Sequence, residues 1–268
     1  MGRGGRRAAQ RQSFNLIAGT LVFAFVATII GGFAYFKLTR QAGPDQATLC
    51  PAAGPAGHYV LLIDKTDPLN FTQKQAFTEL VHEVIQKKTP VGYLLSVFVL
   101  GEDFKDTAEP VIELCNPGTG EDKSEYTSNK KKAHRQYEDQ FLVPLTKQAE
   151  SLVATESAKA SPVFEMLQMV SINSFRKHDV KGERRLIIVS DMLHNTPQMT
   201  MYRGPVDYDA FASTDYGRKV GLQMPDVKVE LNVLMNSPQL QTKRNLAFWE
   251  TYFNKAGARI VAVRPLEG

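Results

Sequence analysis

The chain has 268 residues, 43% of them hydrophobic, and 32 lysines and arginines against 28 acidic residues give a formal net charge of +4. That length holds one full domain with an appendage, and that apolar fraction excludes a wholly disordered chain. Residues 1–40 carry six basic side chains (Arg3, Arg6, Arg7, Arg11, Lys37, Arg40) and no acid; subtracting them from +4 leaves about −2 on the rest, which excludes an overall electrostatic footprint for nucleic acid.

Phe14 to Phe36 is 23 residues without a charge. A helix needs roughly 20 apolar residues to cross a bilayer. Four arginines precede this stretch, so the positive-inside bias makes residues 1–13 a basic cytoplasmic tail and places everything after residue 40 outside, or in a periplasm. A cleaved signal peptide is the rival reading, but its apolar core is shorter and a small-x-small site follows it. Here Tyr35 and Phe36 run directly into Lys37, which suits the membrane–water interface of a retained signal anchor in an inner membrane. Ala24, Thr28 and Gly32, and likewise Ala27 and Gly31, stand at helix-packing spacing, although small residues are common in any membrane helix. Residues 37–57 are rich in proline, glycine and alanine and read as a linker to a domain spanning 58–268.

The apolar run Tyr59 to Ile63 ends abruptly in Asp64, Lys65, Thr66, Asp67 and Pro68. Five bulky apolar residues in a row read as a strand buried on both faces, as in the middle of a parallel sheet. A helix near 72–87 follows, with Thr72 and Gln75 as a capping box and an apolar stripe from Ala76 to Ile85. Tyr93 to Leu100 and Val111 to Leu114 are strands separated by a loop too short for a crossover helix, so they pair as an antiparallel edge hairpin. Residues 116–128 form a polar loop, and 129–153 a helix that Pro144 kinks or splits. Ser161 and Pro162 open the next helix, which runs to about Lys177. Leu186 to Val189 is a second central strand, closing on Ser190 and Asp191. A helix around 208–219, a strand at 227–235, a helix opened by Ser237 and Pro238 and ended by Gly257, and a strand at 259–263 complete the chain. Helices alternating with mostly parallel strands predict a three-layer, doubly wound α/β domain with one antiparallel edge strand.

Two central strands that each close on an aspartate point to one shared site at the carboxyl edge of the sheet, where open α/β folds place their ligands. The five histidines show no metal-ligand spacing, and there is no G-x-S-x-G, P-loop, C-x-x-C or catalytic triad. His194 lies just after Asp191. Met199, Met201 and Tyr202 make that segment rich in adaptable contacts that suit a partner-binding surface together with Asp67, and core packing of the following helix accounts for about half of the segment's methionines and aromatics. Cys50 and Cys115 are the only cysteines. Both fall at the amino edge of the proposed sheet, so outside the cytoplasm they are placed to pair as a disulfide.

The order of strands and helices over residues 58–265 resembles the von Willebrand factor type A domain. That family carries a metal-ion-dependent adhesion site in three loops. Asp64 and Thr66 match its first loop, D-x-S/T-x-S, but Pro68 stands where the second hydroxyl belongs. Ser161, with Met166 and Leu167 behind it, is the counterpart of the second loop, and Asp191 of the third. The resemblance implies Mg²⁺ held by Asp64, Thr66, Ser161 and Asp191, with Asp67 as a substitute ligand, because a hard cation wants oxygen donors. It implies a non-enzymatic module that binds a protein partner, here held at the membrane by the uncharged stretch Phe14 to Phe36. Two alternatives stay open. One is a metal-dependent hydrolase using Asp64, similar to haloacid-dehalogenase-like phosphatases, although these carry a second Asp where Thr66 stands. The other is a structural spacer in which the acidic loops serve only as caps.

Overall fold

The computed structural model describes residues 21–37, 43–121, 130–152 and 158–266. The chain divides into two compact units, Met1–Gly43 and Pro44–Gly268. In the first unit a helix covers residues 21–37, and its Leu21, Phe23, Phe25, Ile30 and Phe33 are exposed. No described helix is long and apolar enough to cross a membrane. The basic tail 1–13, residues 14–20 of the expected span and residues 38–42 of the expected linker lie outside the described residues, as does most of the polar loop, 122–128.

The second unit is built on six strands, β1 (His58–Asp64), β2 (Leu94–Leu100), β3 (Ile112–Cys115), β4 (Arg184–Ser190), β5 (Val227–Leu234) and β6 (Arg259–Leu266). They lie in the order β3-β2-β1-β4-β5-β6. All pairings are parallel except β2 with β3. The antiparallel edge follows from chain length, since only a loop separates β2 from β3. β1 and β2 are buried along their whole length, which is why they read as unbroken apolar runs. Within β1 the side chains alternate: Val60 and Leu62 enter one core, Leu61 and Ile63 the other.

The helices are α1 (Phe71–Glu83), α2 (Lys130–Tyr137), α3 (Val143–Ser151), α4 (Val163–Val170), α5 (Tyr208–Ser213), α6 (Asp215–Lys219) and α7 (Lys243–Lys255). Phe77, Leu80 and Val81 of α1 cover one face of the sheet with Leu145 and Ala149 of α3. Phe164, Leu167 and Val170 of α4 cover the other with Phe248, Trp249 and Phe253 of α7.

Several helix ends differ from expectation. The capping box of α1 is formed by Asn70 and Gln73, not Thr72 and Gln75. Both pairs have the right spacing, and the Asn70 carboxamide accepts from the Gln73 N–H while Gln73 reaches back to the Asn70 N–H. A π-helical turn at Glu138–Leu142 separates α2 from α3 directly before Pro144, as a residue without an N–H demands. Ser161 does not cap α4; its backbone instead pairs with Asn195, and Pro162 precedes the first turn. The helix expected at 208–219 is split by Thr214, which caps α6 through its hydroxyl. α7 starts at Lys243 rather than at Ser237–Pro238, because the Gln241 side chain accepts from the Ser237 N–H and holds that stretch as a turn.

Residues 44–57 are tied to the domain. Cys50 and Cys115 form a disulfide. The Cys115 N–H donates to the Thr48 carbonyl at 2.7 Å, and Ala56 N–H to Gly92 at 2.9 Å. Gly182 permits this close approach, since a Cβ there would lie 1.7 Å from the Ala56 carbonyl oxygen.

Candidate functional site

β1 and β4 are neighbours, and the chain winds outward from them in opposite directions, so their carboxyl ends form a topological switch point. Asp64 closes β1, and Ser190 and Asp191 follow at the end of β4. Register sets Ile63 opposite Val189, which brings the two aspartates to one rim. Both are buried, Asp64 at 4% exposure and Asp191 at 1%.

Hydrogen bonds occupy each carboxylate. Asp64 Oδ1 accepts from the Thr66 N–H at 2.9 Å and the Thr66 hydroxyl at 2.6 Å. Asp64 Oδ2 accepts from the Ser190 hydroxyl at 2.6 Å. Asp191 Oδ1 accepts from the Leu193 N–H at 2.8 Å, and Oδ2 from the Tyr202 hydroxyl at 3.1 Å. Met192, between these donors, has φ +57°, a conformation that costs a β-carbon-bearing residue free energy and is held by its surroundings. The indole of Trp249 donates to the Met192 carbonyl at 2.9 Å, and the Gln241 amide to the Asp191 carbonyl at 2.9 Å.

The third loop joins the same rim. Ala158 N–H donates to the Thr66 carbonyl at 2.9 Å. Ser161 and Asn195 exchange two backbone hydrogen bonds, at 2.7 and 2.9 Å. Three segments far apart in the chain are therefore stitched together, as the sequence order implies.

The electrostatics of this rim are one-sided. Among the described residues, no lysine or arginine forms an ion pair with Asp64 or Asp191. Burial pushes the Asp64 carboxyl up to about 6, against the lowering effect of Ser190 and Thr66. Burial, then the negative charge of Asp64, push Asp191 up to about 8, and Asp67 adds to the effect. Tyr202 is driven up too, by burial and by Asp191.

No group of three or more His, Cys, Asp or Glu among the described residues could hold a metal ion. A cation here would depend on hydroxyls as well as carboxylates. The donor set fits a hard divalent cation: Asp64, Asp191, Thr66 and Ser161 offer only oxygen. Ser161 Oγ is also buried with no hydrogen-bond partner, the kind of atom a ligand satisfies. Pro68 offers no hydroxyl, and the Ser190 hydroxyl meets Asp64 instead. Sequence reading missed Ser190; its signal is a hydroxyl directly before the aspartate that ends a buried strand.

The residues expected to face a partner separate into two groups. Tyr202 is 42% exposed and Asp67 is half-buried. His194 and Met201 are buried and have no surface to offer, and Met199 packs on the core. The His194 ring lies 4.6 Å from that of Phe164, and its Nε2 meets the Tyr216 hydroxyl at 3.0 Å and the Thr196 hydroxyl at 3.1 Å. Burial lowers this imidazole to about 3, so it stays neutral.

The sheet, mostly parallel with one antiparallel strand, is consistent with a von Willebrand factor A-like fold. No family model matches the chain, and no curated protein matches it. Among solved structures the chain is similar to the VWA domain of SpRpn10, with 10% identity, 78% of this chain and 88% of that one covered, and a TM-score of 0.36. It is similar to a human COPII-coat protein at 10% identity, where 78% of this chain spans 30% of that one with a TM-score of 0.41. It is also similar to an aerotolerance-related membrane protein from Bacteroides fragilis at 11% identity, covering 78% of this chain and 90% of that one with a TM-score of 0.34.

Proposed function

We propose that this chain is a membrane-anchored interaction module whose domain binds a protein partner at the carboxyl rim of the sheet, assisted by a divalent cation. The observation that carries this reading is the pair Asp64 and Asp191: two buried carboxylates on adjacent strand ends with no cationic side chain to neutralise them. Asp64, Thr66, Ser161 and Asp191 would hold the cation, with Asp67 beside them. When bound, it supplies positive charge to which a partner carboxylate can add. Tyr202 and Asp67, both accessible, are the side chains on this rim that a partner would meet. Residues 14–36 serve as the anchor, with 1–13 in the cytoplasm and the domain outside or in a periplasm. The uncharged stretch, its flanking arginines and the exposed apolar side chains of the helix over 21–37 support this placement.

A hydrolase built on Asp64 has less support. Asp64 is buried, and Thr66, in the place of a second acid, is committed to hydrogen-bonding it. Capture of partners from detergent-solubilised membranes, with and without chelator, tests the proposal. The partner should be retained by the native chain with Mg²⁺ and lost with chelator, with Asp64→Ala or with Asp191→Ala. Retention that ignores all three changes would overturn it.

A further inference from the structure

A cleft of about 440 Å³ lies between the segment leading into α5 and the outer stripe of α7. Its size falls within the range of roughly 300–1,000 Å³ typical of ligand pockets. Arg244, Ala247, Phe248 and Thr251 line one wall, at the i, i+3, i+4, i+7 spacing of a single helix face. Val206, Tyr208 and Asp209 line the other. Gly204, at φ +126°, precedes this segment, and Ala247 contributes only a methyl group to the α7 wall.

The lining combines two aromatic rings with three charged side chains. The rings of Tyr208 and Phe248 stand 5.8 Å apart. Asp207 uses Oδ1 to cap α5 through the Ala210 N–H at 2.9 Å, which leaves Oδ2 toward solvent. Asp209 and Arg244 are exposed and form no ion pair among the described residues. Two carboxylates against one guanidinium leave the cleft net negative.

We propose that this cleft receives a lysine or arginine side chain from an extended partner polypeptide. Its alkyl stem lies along Tyr208 and Phe248, and its cationic head meets Asp207 and Asp209. Arg244, a donor without an acceptor, serves the carbonyls of the same segment. The site shares no lining residue with the Asp64–Asp191 rim and does not depend on a cation there.

Fluorescence anisotropy tests this with the full chain in detergent and a fluorescein-labelled peptide, Gly-Ala-Arg-Ala-Gly-amide, against the same peptide with alanine in place of arginine. The arginine peptide should bind saturably and the alanine peptide at least about tenfold more weakly. Asp209→Asn and Ala247→Trp should each weaken binding by about fivefold or more, the scale of one exposed charge pair or one blocked contact. Asp209→Asn alters an exposed side chain at the start of α5, so it leaves the fold intact. Asp191→Asn should leave the affinity unchanged. Equal binding of the two peptides, indifference to both cleft variants, or loss on Asp191→Asn would each overturn the assignment.

Discussion

The middle of the sheet and its carboxyl rim treat buried carboxylates in opposite ways. Midway along β5, Glu230 is 2% exposed and meets three cations: Lys88 at 3.0 Å, Arg264 at 3.1 Å, and Arg185. Arg185 and Lys228 also hold Glu183, at 2.6 and 3.2 Å. Burial works against the Glu230 charge, but hydrogen bonds from Lys88 and Arg185 outweigh it and keep the carboxyl below its usual range. At the carboxyl ends, Asp64 and Asp191 have hydroxyl and amide partners only, and both are pushed up. A carboxylate that serves the fold is neutralised within it. The proposed cation site rests on carboxylates left without a counter-charge.

The pH dependence of the two kinds of carboxylate has opposite sign. Asp64 and Asp191 have folded values raised above the unfolded 3.8. The stability they contribute is full below 3.8 and is lost as pH rises through about 6 and about 8. Glu230 has a folded value lowered from 4.5, so its contribution is present above 4.5 and lost as pH falls through the lowered value. His58, buried against Ser96 at 2.8 Å and Ser174 at 3.0 Å, is lowered from 6.5 to about 3, chiefly by burial. It too loses its contribution as pH falls from 6.5 toward 3.

The largest test of this contrast is Glu230→Ala, which takes the shared carboxylate from three cations, while Arg185 keeps Glu183 and Lys88 keeps Glu83 at 3.6 Å. It should destabilise the domain by about 3–5 kcal/mol in urea denaturation, the usual cost of breaking a buried pair. A loss below about 1 kcal/mol would break the comparison. Replacing Cys50 and Cys115 together by serine, at the amino edge of the sheet, should cost about 2–4 kcal/mol by the same assay. Asp191→Asn should do the reverse. Without divalent cations its gain should grow as pH rises from 4 to 8 and reach about 2 kcal/mol at pH 8.5, read as a thermal shift. A loss at pH 8.5 would mean that the rim is built for stability after all. Smallest is Tyr202→Phe, which removes the hydroxyl on Asp191 and should cost about 1 kcal/mol, seen best as altered fluorescence of Trp249, the single tryptophan, which bonds the Met192 carbonyl.

What could be read from the sequence follows the range of the forces involved. β1 and β4 were legible because burial on both faces demands unbroken apolar runs, and their terminal aspartates marked the rim. The antiparallel edge was legible from the length of one loop, and the cysteine pair from that topology. The capping residue of α1 was not, because Asn70–Gln73 and Thr72–Gln75 satisfy the same local pattern. His194 and Met201 looked like surface contacts because burial in a loop depends on tertiary packing, of His194 against Phe164 and of Met201 in the core that Val60 and Leu62 enter. The Tyr202–Asp191 and Ser190–Asp64 hydrogen bonds join residues whose approach is set by loop and sheet geometry, which no periodicity encodes.

The central claim is that the rim lacks a positive charge and accepts one from outside. Titration calorimetry with Mn²⁺ or Mg²⁺ at pH 7, in two buffers of different ionisation enthalpy, tests it most directly. Burial and the Asp64 charge hold Asp191 above the usual carboxylate range, so binding should release protons, and Asp191→Asn should reduce both the heat and the release. No binding, or binding without proton release that survives Asp191→Asn, would contradict the account.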